Sequence, residues 1–343
     1  MTWSSSCTAN DGCTLAFESS QPLPGYPPSA SMKSYDTCIV LLHGFSGSSA
    51  YFKRNLGKIG ARFWTVAPDM RGHGQSGRTA GGYHVARLAA DLRDLLAHLE
   101  SSRPHSEPGT ARPPFRIVPV GCSIGAAVVW TYLELFGNPA PSIGAGVGGA
   151  NFEFAGFVFV DQAPLQERSQ FGPSAWDPSR AHKGCYDEAS LVAAQAAWTA
   201  ADLRPTHRAL VAECLGYRFH PRVYDGVSPD QARRDEAFFA AISAQCDGTW
   251  LARLMADHTR YDHREAIELH VNKPTLVMAA VRSGCFTLMG LEEIVARIMS
   301  GGRVDKKDVR MAIYGSGHWL FYEEPERFNG DVIEFAARCF GSG

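Results

Sequence analysis

Apolar residues along this chain follow two rhythms. Short unbroken runs at Cys38–Leu42, Phe63–Ala67, Phe115–Val120, Phe157–Val160, Thr275–Val281 and Val309–Tyr314 are punctuated by glycine, proline or polar residues. Runs of this length and composition predict strands buried on both faces, and helical patterns between them predict a parallel sheet covered on both sides. From Tyr83 onward, Val85, Leu88, Leu92, Leu95 and Leu99 recur at steps of three and four, the stripe of an amphipathic helix. Ile124 to Leu135 predicts a second helix, and a last one opens at Glu323-Glu324-Pro325, with acids and a proline in its first turn. A hairpin is expected around Asp11-Gly12, followed by Pro/Ser-rich loops at 19–35 and 101–114.

Residues 165–271 break the alternation. Their pattern is helical and rich in alanine, with aromatics at Trp176, Trp198, Tyr217, Phe219, Phe238, Phe239 and Trp250. The reading is a helical cap, or lid, inserted after the sixth main-sheet strand, leaving 1–164 and 272–343 as the core. Most of these aromatics are expected to form the cap's own interior. A minority, Trp176, Trp198 and Phe219, together with Trp319 beyond the cap, are expected to line a substrate pocket.

Composition narrows the function without naming it. The chain has 343 residues, 45% hydrophobic and 20% charged, with a formal net charge of −2. No basic field argues for a nucleic-acid partner. No apolar run reaches the roughly 18 residues of a membrane-spanning helix. The opening Met1-Thr2-Trp3-Ser4-Ser5-Ser6-Cys7 lacks the basic start and apolar stretch of a secretory signal, so a cytoplasmic setting is expected. Nine cysteines are scattered without a C-x-x-C pair, and several fall inside apolar elements, where a thiol packs as a small hydrophobe. Cys7 and Cys13 are near enough in sequence to pair, though nothing requires it. Oligomeric state is not legible.

Candidate chemistry centres on Gly121-Cys122-Ser123-Ile124-Gly125, a Gly-x-Ser-x-Gly between a predicted strand and a predicted helix. A serine on so sharp a turn has its hydroxyl exposed and its backbone strained, and flanking glycines let strand and helix approach without Cβ clashes. The bare pattern is common; strand before, helix after and small Ala126 and Ala127 make it specific. Such a serine needs a base, an orienting acid and donors for an oxyanion. Among twelve histidines, His318 in Gly315-Ser316-Gly317-His318-Trp319 lies beyond a strand and before the final helix, where a mobile loop can set an imidazole over the sheet's carboxyl edge. The expected oxyanion donors are the backbone N–H groups of Ile124 and Phe45, the latter in the turn His43-Gly44-Phe45; His43 itself is expected to hold that turn. Asp257 and Asp262 beside His258 and His263 offer a metal-like grouping, but no third ligand at helical spacing completes it and a solvated helix face is expected. No metal and no cofactor are expected.

On these residues the chain resembles the α/β-hydrolase superfamily, in its capped esterase- and lactonase-like branch, with similarity also to cofactor-free haloperoxidases. His43-Gly44-Phe45, the turn Asp69-Met70-Arg71-Gly72-His73-Gly74-Gln75-Ser76, the Ser123 elbow and Gly317-His318 occur in the family's order, over about residues 11–340. The resemblance implies an eight-stranded, mostly parallel α/β-hydrolase sheet, covered on both faces, with the Asp69–Ser76 turn shaping the scaffold. The acid departs from the common pattern. In many relatives the strand opening Lys-Pro-Thr-Leu-Val ends in the triad aspartate, whereas here Lys273-Pro274-Thr275-Leu276-Val277 runs to Phe286 with no carboxylate. Haloalkane dehalogenases and certain macrocyclic lactonases carry the acid at the end of the preceding strand, which here is Asp161. The other reading of Asp161 is a residue that only fixes its loop. Glu292 and Glu293, on a later helix, are poorer candidates.

The function implied is a serine hydrolase cleaving a small apolar carboxylic ester or lactone through an acyl-enzyme, with Ser123, His318 and Asp161 as triad. Alternatives are a non-hydrolytic or carbon–carbon-bond-cleaving enzyme of a biosynthetic pathway on the same scaffold, or a triad-bearing ligand receptor. An epoxide hydrolase or dehalogenase would need a carboxylate where Ser123 stands.

Overall fold

The computed structural model of the chain describes residues 2–23, 34–104, 112–139, 151–166, 186–219 and 226–341. Its centre is one sheet. The hairpin β1 (Trp3–Thr8) and β2 (Thr14–Ser19) turns at Gly12, whose φ of 85° suits a residue without a Cβ. β2 pairs antiparallel with β4 (Trp64–Pro68), and from there the order is β3 (Thr37–Leu42), β5 (Phe115–Cys122), β7 (Phe157–Val160), β8 (Thr275–Ala280) and β9 (Val309–Tyr314), all parallel. The sheet has nine strands among the described residues, where eight were expected. The extra one, β6 (Phe152–Phe154), pairs with the first half of β5 while β7 pairs with the second half. Ala155-Gly156 thus divides one lane of the sheet into two short strands.

The apolar runs are continuous because both faces are covered, and alternate residues feed two different cores. In β3, Cys38, Val40 and Leu42 point to one core and Ile39 and Leu41 to the other; in β7, Phe157 and Phe159 oppose Val158 and Val160. The first core is closed by α2 (Val85–Ser101), whose stripe Val85, Leu88, Leu92, Leu95 and Leu99 is buried as its spacing predicts, and by α3 (Ile124–Phe136). The second lies under the C-terminal helix Pro325–Phe340, which begins on a proline.

Between β7 and β8 every element of three residues or more among the described residues is helical. These are α4 (Glu188–Trp198), α5 (Arg204–Cys214), α6 (Gly216–Phe219), α7 (Pro229–Ser243), α8 (Gly248–Arg260) and α9 (Arg264–His270). Asp187, Ser228 and Asp247 start α4, α7 and α8, each accepting a hydrogen bond from a first-turn amide. α9 packs against α3 and against α10 (Leu288–Gly301), in the layer that covers the sheet, whereas α4, α5 and α8 border the cavity that holds Ser123 and His318. No described helix is long and apolar enough to cross a membrane.

Candidate active site

Ser123 stands between β5 and α3 at φ 54°, ψ −129°, a conformation that costs a β-carbon-bearing residue strain and persists because its surroundings hold it. Its N–H donates to the Val160 carbonyl at 2.9 Å, tying the turn to β7. Strand and helix meet so closely that a Cβ on Gly121 would lie 2.6 Å from the Ala126 nitrogen. The side chain is buried, and its hydroxyl contacts Oε1 of Gln162 at 3.5 Å. Ile124 opens α3, so its N–H has no partner within the helix. Phe45 lines the same cavity, in the turn after β3 whose Gly44 lies against the Ser123 side chain. His43 braces that turn: Nδ1 donates to the Gly44 carbonyl at 2.8 Å and Nε2 accepts the Met70 N–H at 2.9 Å. Burial pushes its imidazole down to about 4, so it stays neutral and structural. The Asp69 carboxylate likewise serves the scaffold, accepting the Ser49 and Gln75 amides at 2.6 and 2.7 Å.

Asp161 ends β7 at φ 44° and is completely buried. Its N–H donates to Met278 O at 2.8 Å, and its Oδ1 accepts the Ala280 N–H at 3.0 Å. The second oxygen, Oδ2, lies 2.7 Å from Nδ1 of His318. Sheet order explains this meeting: β7, β8 and β9 are consecutive lanes, so a turn after β7 and a loop after β9 close over the end of β8. Burial pulls the His318 imidazolium down, but Cys285, Asp161 and Glu213 outweigh it and raise its pKa to about 9. With Nδ1–H committed to the carboxylate, Nε2 carries the lone pair in the neutral ring.

Ser123 and His318 line one cavity of about 440 Å³. Gly44, Phe45, Trp198, Leu210, Met255, Phe286 and Trp319 supply most of its apolar wall, and Gln166, Glu213 and His258 add polar atoms. Trp198 stands edge-on to Phe45 at 5.4 Å, and Trp319 stacks on Phe239 at 3.7 Å. Trp176 lies outside the described residues, as does the side chain of Phe219. Protein around Glu213 pushes its carboxyl above the usual range, with His318 pulling the other way. Glu292 is exposed and Glu293 pairs with Arg297 at 3.3 Å; both are on α10.

Four features were not visible in the sequence. Gln162 touches the Ser123 hydroxyl. Cys214, at the end of α5, and Cys285, after β8, face one another with sulfurs 3.8 Å apart, and the Cys214 S–H holds the Cys285 thiol below its usual range. Glu323 Oε1 accepts the N–H groups of Gly216 and Gly317 at 2.9 and 3.0 Å, joining the helical insertion to the His318 loop. Burial pushes this carboxyl up to about 7 against those two bonds. Finally, the expectation of a solvated face at His258 and His263 is corrected. Both are buried and burial pushes both down to about 3, so they are neutral packing groups. The acids beside them are engaged elsewhere, Asp257 with His84 and Val85 and Asp262 with Arg264. Only a buried stretch of helix pattern, masked by the neighbouring charges, could have signalled this.

A model described as the alpha/beta hydrolase family matches residues 39–331. An uncharacterized protein of Mycobacterium tuberculosis is 30% identical over 112 residues, which is 33% of this chain and 29% of that protein. The match therefore spans less than a third of the curated relative's length. In fold the chain is similar to a bromoperoxidase from Bacillus anthracis, with a TM-score of 0.68 and 17% identity over 96% of this chain and 99% of that one. It is similar also to an esterase from Exiguobacterium antarcticum, with a TM-score of 0.69 and 15% identity over 97% and 98% of the two chains.

Proposed function

The chain belongs to the alpha/beta hydrolase family, and from that premise we propose that it is a serine hydrolase of small apolar esters or lactones, with Ser123 as nucleophile, His318 as base and Asp161 as acid. The observation that carries this reading is the 2.7 Å contact of Asp161 Oδ2 with His318 Nδ1, at the same cavity as a serine held at positive φ. The serine hydroxyl turns from Gln162 toward Nε2 of His318, gives up its proton there and attacks the substrate carbonyl. Asp161 keeps the imidazole in the tautomer that accepts at Nε2 and stabilises the imidazolium. The Phe45 and Ile124 amides receive the oxyanion. His318 then protonates the leaving alkoxide. In the second half it takes a proton from water, the hydroxide attacks the acyl carbon, and His318 returns the proton to the departing Ser123 oxygen as the acid leaves.

The substrate class follows from the walls. A cavity of about 440 Å³ with Trp198, Trp319, Phe286 and Met255 around it holds a medium-sized molecule by apolar contact. Glu213 on the same wall disfavours an anionic one. Within the insertion 165–271, α4, α5 and α8 act as the lid and supply Trp198, Leu210 and Met255, while the core of 1–164 and 272–343 supplies the reacting groups together with Phe286 and Trp319.

Labelling with a fluorophosphonate, mapped by mass spectrometry, tests the nucleophile, and nitrophenyl esters of graded chain length test turnover. The expected result is modification of Ser123 alone and multiple turnovers that favour uncharged acyl chains. Absence of labelling at Ser123 would overturn the reading. Labelling without repeated turnover would move the assignment to a ligand receptor.

A further inference from the structure

The paired thiols beside the base neither attack the substrate nor carry its proton in the proposed acyl transfer. Cys214, Cys285 and His318 come from three separate elements, yet their two sulfurs and a ring nitrogen lie within 4.8 Å of one another. The sulfur pair is 3.8 Å apart. Two thiolates at about 2.3 Å from a tetrahedral zinc ion sit about 3.8 Å from each other, so the sulfurs already have the spacing of one edge of such a site. The histidine is prepared in the same sense. A metal-bound imidazole ordinarily donates its other ring N–H to a carboxylate, and His318 makes that contact with Asp161 through Nδ1, so a bound ion would take the ring through Nε2. The set is two sulfurs and one imidazole nitrogen, which selects soft or borderline cations over Mg²⁺ or Ca²⁺. The fourth position opens to the cavity, since all three residues line it.

We propose that Cys214, Cys285 and His318 form a binding site for a thiophilic divalent cation of the Zn²⁺ type, and that its occupation switches off the reaction at Ser123. Binding replaces the two thiol protons, which leave to solvent, and ties up the Nε2 lone pair that would otherwise take the serine proton. No redox change is involved. The ion also bridges α5 of the helical insertion to the loops after β8 and β9, so the metal-bound protein is held more rigidly than the free one. The inhibitory half rests on His318 being the base; the binding half does not.

The test uses the full chain, freed of metal by EDTA and desalting and then titrated with zinc chloride against a chromophoric zinc indicator. Wild type, Cys285→Ser and Cys214→Ala are compared, with thermal melting and nitrophenyl ester turnover read on the same samples. Wild type is expected to take up one equivalent, to melt several degrees higher with excess zinc and to lose about tenfold or more of its turnover, restored by EDTA. Each cysteine variant is expected to bind at least about 10- to 100-fold more weakly and to keep the rate it shows without zinc. Magnesium chloride is expected to change none of these readings. Equal zinc uptake by wild type and both variants would overturn the site, while fluorophosphonate labelling of Ser123 would leave the hydrolase reading standing. Cysteine-dependent uptake with unchanged or increased turnover would overturn the inhibitory role. Should the protein hydrolyse no ester at all, the indicator titration and the melting shift still decide the binding site by themselves.

Discussion

The two ends of the candidate site are built on different principles. At the serine end the backbone does the work. Ser123 is held by its N–H bond to the Val160 carbonyl, by the approach of β5 to α3 and by a backbone fixed at positive φ. At the acid–base end side chains do it. Cys285, Asp161 and Glu213 come to His318 from separate places in the chain and together raise its pKa, while the Glu323 carboxyl that grips the His318 loop is pushed up by its own burial. Backbone geometry is indifferent to pH and tolerates little change of shape, whereas a cluster of titratable groups is the reverse. Substitutions should therefore sort by which end they touch.

The sharpest test of the contrast removes the serine hydroxyl itself. Ser123→Ala is expected to cost about 10⁶ in kcat with an unchanged circular dichroism spectrum; a loss within tenfold of wild type would sink the mechanism. Next comes Asp161→Asn, expected to lose about 10⁴, against Glu292→Gln, whose rate should stay close to wild type. The same pair reports on charge. Because the imidazole must be unprotonated to act and its pKa is raised to about 9, wild-type kcat/KM should climb with pH through the alkaline range. In Asp161→Asn the main hydrogen-bonding anion is gone, so that limb should move to lower pH even as the rate falls. At the serine end, Gly121→Ala puts a methyl into the Ala126 backbone and should shift the nucleophile enough to cost about 10² in kcat, with a pH profile of unchanged shape. The smallest effect belongs to Glu323. Its raised pKa means the folded protein holds that proton more tightly than the unfolded chain, so this group's contribution is complete below about 4.5 and fades as pH rises through about 7. Glu323→Gln keeps the acceptor without the charge, and melting curves at pH 8 should show it about 2 °C more stable than wild type.

The same contrast decides what could be read from the sequence. Strands, the α2 stripe and the order of motifs were legible because burial on both faces writes unbroken apolar runs, and the elbow was legible because its geometry is local to nine residues. The division of one lane into β6 and β7 was not, since Ala155-Gly156 interrupts pairing only in relation to β5. Asp161 could be reached only through the missing carboxylate between 280 and 286. What brings it to His318 is the adjacency of β7, β8 and β9, a property of register rather than of any segment. His258 and His263 misled for a similar reason. Their charged neighbours advertise solvent, but Asp257 and Asp262 pair with His84 and Arg264, while His263 packs between Trp130 and Tyr261. Cys214 and Cys285 are 71 positions apart, and no spacing rule joins them.

The clasp at Glu323 has a mechanical corollary. A single carboxylate oxygen grips the amides of Gly216 and Gly317, Trp319 N–H reaches Cys214 O at 3.3 Å, and a Cβ on Gly216 would fall 2.5 Å from the nitrogen of Gly317. The 214–216 segment and the imidazole-bearing turn thus travel as one piece. Were the end of α5 to shift away from the sheet, the turn that carries His318 would be drawn along with it.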